Sequence, residues 1–200
     1  MAGFLSRSIE RKSDPLSVWA EMLRAGRSSK AGITINLENA LKVGTLFACM
    51  REISQGCAQV PFKLFKTREG GGEDVAYDHP LYDLMAVQPN NWTSSFEFRE
   101  TLLLHASLGN AYVFINRGVG GKILELILLN PGRVEKEQKD DYSLSYKVTG
   151  KSGAVQVFPA EAIWHVRGPS WDGVKGLEVL SIAREALGLS IATEESHSKL

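Results

Sequence analysis

Leu108-Gly109-Asn110-Ala111-Tyr112-Val113-Phe114-Ile115-Asn116 marks the point where apolar residues stop recurring every three to four positions and begin to alternate. Gly109-Asn110 supplies the chemistry that ends a helix, and the residues after it read as strand. Upstream, residues 41–60 predict a helix with Val43, Phe47, Met50, Ile53 and Cys57 on one face, stopped by Pro61. A short strand over 62–66 and a Gly70-Gly71-Gly72 hairpin tip come next. Asp78 is positioned to cap a helix starting at His79-Pro80, with Leu81, Leu84 and Met85 inward. Thr93-Ser94-Ser95 with Glu97 is a second capping signal, launching a helix over 96–108.

Downstream, short strands are expected at 112–116, 123–129, 133–138, 144–149, 155–158 and 162–166. They are separated by Gly118-Val119-Gly120-Gly121, Pro131-Gly132, Lys139-Asp140-Asp141 and Gly150-Lys151-Ser152-Gly153. Such spacing suits an antiparallel meander rather than βαβ units, so the fold class is α+β. Residues 177–200 read as the start of one long helix with Leu177, Leu180, Leu187 and Ile191 as a stripe, and no stop signal closes it. The element is therefore expected to run beyond residue 200. Without a partner helix the stripe predicts a sticky, aggregating fragment. Three segments result: an arm over 1–40, an α+β body over 41–176, and the helix over 177–200. In the arm, Asp14 and Pro15 open a short helix with Leu16, Trp19, Met22 and Leu23 on one face, and Gly26 to Gly32 reads as a flexible linker.

Composition narrows the function classes. The chain has 200 residues, enough to bury a core without staples. No apolar run approaches the ~20 residues needed to span a bilayer, and the N-terminus lacks a secretory h-region, so the cytoplasm is the expected compartment of synthesis. The 23 basic and 23 acidic residues balance, which argues against a clamp on phosphates. Residues 1–30 are weakly basic, with six cations against three carboxylates. Cys49 and Cys57 fall on one predicted helix about 12 Å apart, too far for a disulfide, and read as small buried thiols.

Motif tests are negative. Gly150-Lys151-Ser152 matches the end of a phosphate-binding loop, but Ser145 stands where the first glycine is needed and a strand comes after it. Gly121-Lys122 fails likewise, with Asn116 and Ile123 at the key positions. Both read as hairpin turns. His79, His105, His165 and His197 have no partner at zinc-like spacing, and His105 and His165 read as hydrogen-bonded core or interface residues. No serine sits in a nucleophile elbow. The sequence thus offers no catalytic, cofactor-binding or metal residues.

Six phrases in order carry a resemblance. They are Thr45-Leu46-Phe47-Ala48-Cys49-Met50-Arg51-Glu52-Ile53 leading to Val60-Pro61-Phe62-Lys63-Leu64-Phe65; His79-Pro80-Leu81 with Leu84, then Pro89-Asn90 and Ser95-Phe96-Glu97-Phe98-Arg99; Gly109-Asn110-Ala111-Tyr112; Leu129-Asn130-Pro131-Gly132-Arg133-Val134; Tyr146; and Ile163-Trp164-His165-Val166-Arg167-Gly168. Together they resemble the portal proteins of tailed double-stranded DNA phages, in the family typical of long-tailed phages. The chain departs from that pattern at Gln88, where an Arg is usual, and at Glu178-Val179, where a Ser-Pro helix start is usual.

The resemblance implies the N-terminal half of a portal: a wing-like body and the start of a stem-directed helix. It implies a structural subunit, not an enzyme and without cofactors, in a twelve-fold homo-oligomeric ring at the unique capsid vertex. Double-stranded DNA would pass through non-specifically during packaging and ejection. Implied partners are the terminase, capsid and scaffold proteins and a head-tail adaptor. The implied location is the virion, with the bacterial host cytoplasm during assembly and no membrane contact. Alternatives are a peripheral adaptor touching membrane or nucleic acid through the Trp19 helix, a hydrolase with an unrecognised site, and a prophage remnant without function.

Overall fold

The computed structural model describes residues 27–30, 32, 34–35 and 37–198. The Asp14 to Arg24 arm lies outside them. Part of the expected linker instead forms a small ladder, in which β1 (Arg27–Ser28) pairs antiparallel with β2 (Thr34–Ile35). Two helices come next, α1 (Leu37–Lys42) and α2 (Gly44–Ala58), where the periodicity predicts one. Val43 breaks them: it is extended (φ −68°, ψ 103°) and buried.

The inward face of α2 is Met50, Ser54 and Ala58. Phe47 and Ile53, expected inside, are about half exposed at 48% and 50%, and Cys49 and Cys57 are exposed free thiols rather than buried ones. Residue size accounts for the correction. Ser54 and Ala58 let the neighbouring helix approach closely, and the Ser54 hydroxyl donates to the Met50 carbonyl (2.8 Å), so burying it leaves no polar group unpaired.

The hairpin β3 (Phe65–Thr67) and β4 (Glu73–Val75) turns through Gly70, Gly71 and Gly72, all at positive φ. Helix α3 (Pro80–Ala86) is capped by His79, whose Nδ1 accepts from Leu81 N–H, because Asp78 is held by Lys66 instead. Helix α4 (Ser95–Leu108) starts with a capping box between Ser94 and Glu97 and ends at Gly109. The loop between α3 and α4 is tied down by buried Asn90. Its carbonyl accepts from Trp92 N–H, Thr93 N–H and the Thr93 hydroxyl, and its amide donates to the Leu126 carbonyl. Pro89 in turn accepts from Leu126 N–H, so this loop covers a sheet edge.

The strands are β5 (Asn110–Arg117), β6 (Ile123–Leu129), β7 (Val134–Gln138), β8 (Leu144–Thr149), β9 (Val155–Pro159) and β10 (Ile163–Arg167). All pairings are antiparallel, and the class is α+β as expected. The predicted meander divides into two sheets, ordered β10-β5-β6 and β7-β8-β9. β10 returns to pair with β5, Ile163 opposite Phe114 and His165 opposite Tyr112.

β5 is buried on both faces. Ala111 and Val113 meet α4 in a core with Phe98, Leu102, Ala106 and Leu126. Tyr112 and Phe114 meet the second sheet in a core with Ile127, Tyr146, Val148 and Phe158. Helices, first sheet and second sheet thus form three layers around β5. The Gly150-Lys151-Ser152 stretch is the tip of the β8–β9 hairpin, closed by Gly150 N–H to the Ala154 carbonyl (2.7 Å).

The C-terminal segment is not one helix. Leu177 lies outside it, α5 (Val179–Ile182) is a single turn, and α6 (Arg184–His197) begins after Ala183 leaves helical geometry (φ −82°, ψ 0°). Glu178 makes no capping hydrogen bond through its side chain, consistent with the missing Pro at the start. The apolar stripe is covered. Leu187 is buried with Ile35, Ala40 and Val43, and Leu180, Ala183 and Ile191 pack around them. Gly188 makes room for the β1–β2 turn, since a Cβ there would sit 2.4 Å from Ser29 Oγ. Lys30 N–H donates to Glu185 Oε2 (3.0 Å). The exposed stripe behind the expectation of aggregation is therefore absent, and the large apolar side chain that α6 exposes is Leu189.

Candidate functional site

The residues of the sequence phrases around 109–112, 146 and 163–168 converge where α4 ends, β5 starts and β10 ends. Backbone contact comes first. Gly109 ends α4 at φ +142°, and a Cβ there would meet the Leu177 carbonyl at 2.7 Å. A Cβ on Gly168 would stand 2.2 Å from the Ala106 carbonyl oxygen, and one on Gly176 would stand 1.7 Å from that of Gly109. Gly168 N–H donates to the Gly109 carbonyl (2.9 Å). Three glycines thus let three chain segments touch main chain to main chain.

One side chain locks them. Buried Asn110 accepts from Gly176 N–H through Oδ1 (2.8 Å) and donates through Nδ2 to the Gly176 carbonyl (3.2 Å), which fixes the amide's orientation. His165 Nε2 lies 3.0 Å from that same Oδ1. An amide oxygen only accepts, so Nε2 carries the proton. Nδ1 is then a lone-pair acceptor, and the Tyr146 hydroxyl donates to it (3.2 Å). Tyr112 stacks on the imidazole with ring centroids 4.5 Å apart.

The chain Tyr146–His165–Asn110–Gly176 therefore connects the second sheet, the first sheet and the loop over 169–177. Burial, then the cations Lys136 and Arg167, push His165 down to about 4, so it is neutral near pH 7 with both nitrogens engaged. Burial likewise pushes the Tyr112 hydroxyl up to about 12 and raises Tyr146. His165 is the hydrogen-bonded histidine the sequence suggests. His105 is fully buried on α4 and also pushed down to about 4 by burial.

The clamped loop is itself ordered. Leu177 N–H donates to the Pro169 carbonyl (2.7 Å) at its base. The Ser170 hydroxyl donates to the Lys175 carbonyl (2.6 Å) and accepts from Gly173 N–H (3.0 Å). Asp172 Oδ1 accepts from Val174 N–H (2.7 Å) and Lys175 N–H (2.9 Å), and these bonds hold its carboxyl at about 2. The loop and Gly176 lie outside the sequence phrases. Ser170 and Asp172-Gly173 carry the turn chemistry that signals the loop, but nothing in them announces that Asn110 clamps it.

Stability should depend on pH through these histidines. A histidine whose folded pKa lies below its unfolded value stabilises fully above about pH 6.5, and that contribution is lost as pH falls toward 4. The free energy of unfolding is expected to fall across this window, by at most about 1.4 kcal/mol per pH unit for each histidine. Urea titrations at stepped pH measure it, and His165→Gln is expected to flatten the slope while His105 retains its share.

Among the described residues no group of three His, Cys, Asp or Glu side chains is placed to hold a metal ion. Among them, too, no helix is long and apolar enough to cross a membrane.

The profile of the family described as phage portal protein matches residues 44–200. The chain belongs to that family. It is 26% identical over 164 residues to the portal protein of Enterobacteria phage HK97, covering 81% of this chain and 38% of that one. It is 25% identical over 183 residues to the probable portal protein of Streptomyces phage phiC31, covering 87% of this chain and 40% of the relative. Protein BeeE of Escherichia coli (strain K12) is 27% identical over 136 residues, covering 66% of this chain and 85% of BeeE. The chain therefore spans about two-fifths of the two phage portal proteins it matches. Its fold is shared with a chain in the neck of an empty GTA particle computed with C6 symmetry, with a TM-score of 0.67 at 20% identity, covering 94% of this chain and 51% of that one. A chain in the virion of a native gene transfer agent particle gives a TM-score of 0.64, covering 92% and 49%.

Proposed function

We propose that this portal-family chain is a structural subunit of a closed homo-oligomeric ring at the capsid vertex. In this reading the ring has twelve copies, conducts double-stranded DNA during packaging and ejection, and docks the terminase, capsid and scaffold proteins and the head-tail adaptor. Its place is the virion, reached from the host cytoplasm. The observation that carries the reading is the family match over residues 44–200, which spans both sheets and the glycine junction. The junction chemistry agrees with it. Neutral His165 with both nitrogens engaged, tied to a backbone clamp, suits a rigid scaffold better than a catalyst. The balance of 23 cations and 23 carboxylates suits weak, sliding contact with DNA.

Deleting the gene from the phage or prophage that encodes it is expected to leave heads without packaged DNA, restored by the gene in trans. Filled, infectious particles from the deletion would contradict the reading. Pelleting with linear DNA and with liposomes at physiological salt separates the peripheral adaptor, which would sediment with one of them, from a portal subunit, which would sediment strongly with neither.

A further inference from the structure

Head-to-tail rings join one patch of each subunit to a different patch of the next, so the two patches must lie on opposite flanks of one chain and fit each other. The sheet β7-β8-β9 carries such a pair. The clamped loop, with Asp172 and Lys175 within electrostatic reach of Lys136 on β7, presents Trp171 at 92% exposure. The loop's internal hydrogen bonds and the Asn110 clamp hold that indole on an ordered support, so binding it costs little further ordering. Lys136, on the inner face of β7, feels Asp172, Lys175 and Arg167, while Lys175 pairs with Glu178 (2.9 Å). Three cations against two carboxylates leave this flank net positive.

At the β9 edge, strand alternation turns Val155 and Val157 outward, 61% and 57% exposed. They stand opposite Thr149 and Lys147 of β8. Lys147 in turn faces Glu135 and Glu137 of β7 and pairs with Glu137 (3.1 Å). One cation against two carboxylates leaves this face net negative. The chain thus carries an aromatic anchor with a positive rim and, on the outward face of the sheet, an apolar pair with a negative rim.

Resting on the ring reading, we propose that Trp171 of one subunit packs on the Val155 and Val157 face of the next copy of this chain, with Lys136 and Arg167 beside that copy's Glu135. The occupant is a second copy because the charge complement of the Trp171 flank is present on the same chain, on the outward face of the sheet whose inward face carries Lys136.

The test uses purified protein in which Cys49→Ser and Cys57→Ser remove the two exposed thiols. In that background W171C and V157C are combined and oxidised. A ladder of covalent multimers, absent from either single variant, is the expected result. Trp171→Ala, and Val157→Gln, which keeps a like charge from standing opposite Lys147, are each expected to raise the concentration needed for ring assembly by about tenfold or more. Rings that form normally in both variants without a covalent ladder overturn this contact and leave the ring reading standing, as does a crosslink confined within one chain. Unsubstituted protein that forms no ring overturns both.

Discussion

Replacing Gly176 by alanine is expected to abolish folding of the junction and lower global stability by about 3 kcal/mol or more, in the upper range for overpacking. The methyl group would sit 1.7 Å from the Gly109 carbonyl oxygen and 3.2 Å from Asn110 Oδ1. Neither neighbour is the loose end of a flexible side chain. The Gly109 carbonyl already accepts from Gly168 N–H, and Asn110 holds both Gly176 backbone groups. Relief would pull the loop from the sheet and leave buried Asn110 without its two Gly176 partners, only the His165 contact remaining. Gly176 is not among the glycines at positive φ, so the effect is steric and not one of backbone strain. Urea denaturation of the purified variant measures it, with Gly173→Ala at the loop tip as the contrast. A Cβ on Gly173 meets nothing within 4 Å, and only its φ of +70° opposes the change.

Arg99→Ala is expected to cost about 2–4 kcal/mol, through a cavity and a lost charge-assisted hydrogen bond together. Arg99 is 6% exposed. Its Nε–H donates to the Ala58 carbonyl (2.9 Å), its Nη1–H donates to Ser95 Oγ (2.9 Å), and its guanidinium lies 5.5 Å over the Phe62 ring. The compensation for the buried charge is the carbonyl end of α2, where the helix dipole is negative. Arg99→Lys is expected to recover little, because one ammonium on a straight stem cannot serve the helix end, the hydroxyl and the ring at once. Thermal or urea unfolding of the three proteins ranks them, and a lysine variant as stable as the parent would contradict this role for the guanidinium.

Local chemistry was legible along the chain and its partners were not. The spans Ile123–Leu129 and Leu144–Thr149 emerge as the alternation predicts, and the Ser94–Glu97 box and Gly109 bound α4 as their residue types require. Alternation, however, says which side chains share a face and not which strand lies alongside. β10 therefore reads as the end of a meander although it pairs back to β5.

The same limit governs the helices. Apolar spacing favours Phe47, Ile53 and Cys57 as the inner face of α2, whereas close approach of α4 selects the small Ser54 and Ala58. At the junction, Asn110, Tyr146 and His165 stand out in the sequence as separate phrases. That they form one hydrogen-bonded chain depends on three-dimensional closeness across 55 residues between Asn110 and His165. Gly176 is invisible beforehand, because a glycine that spares a backbone clash looks in sequence like a glycine in any turn.

The ring is the central claim, and native mass spectrometry of the purified protein addresses it most directly. A portal subunit should give one closed assembly of a single stoichiometry, twelve copies, that persists on dilution. Monomers and dimers in simple concentration-dependent exchange, with no closed species at any concentration, would contradict it.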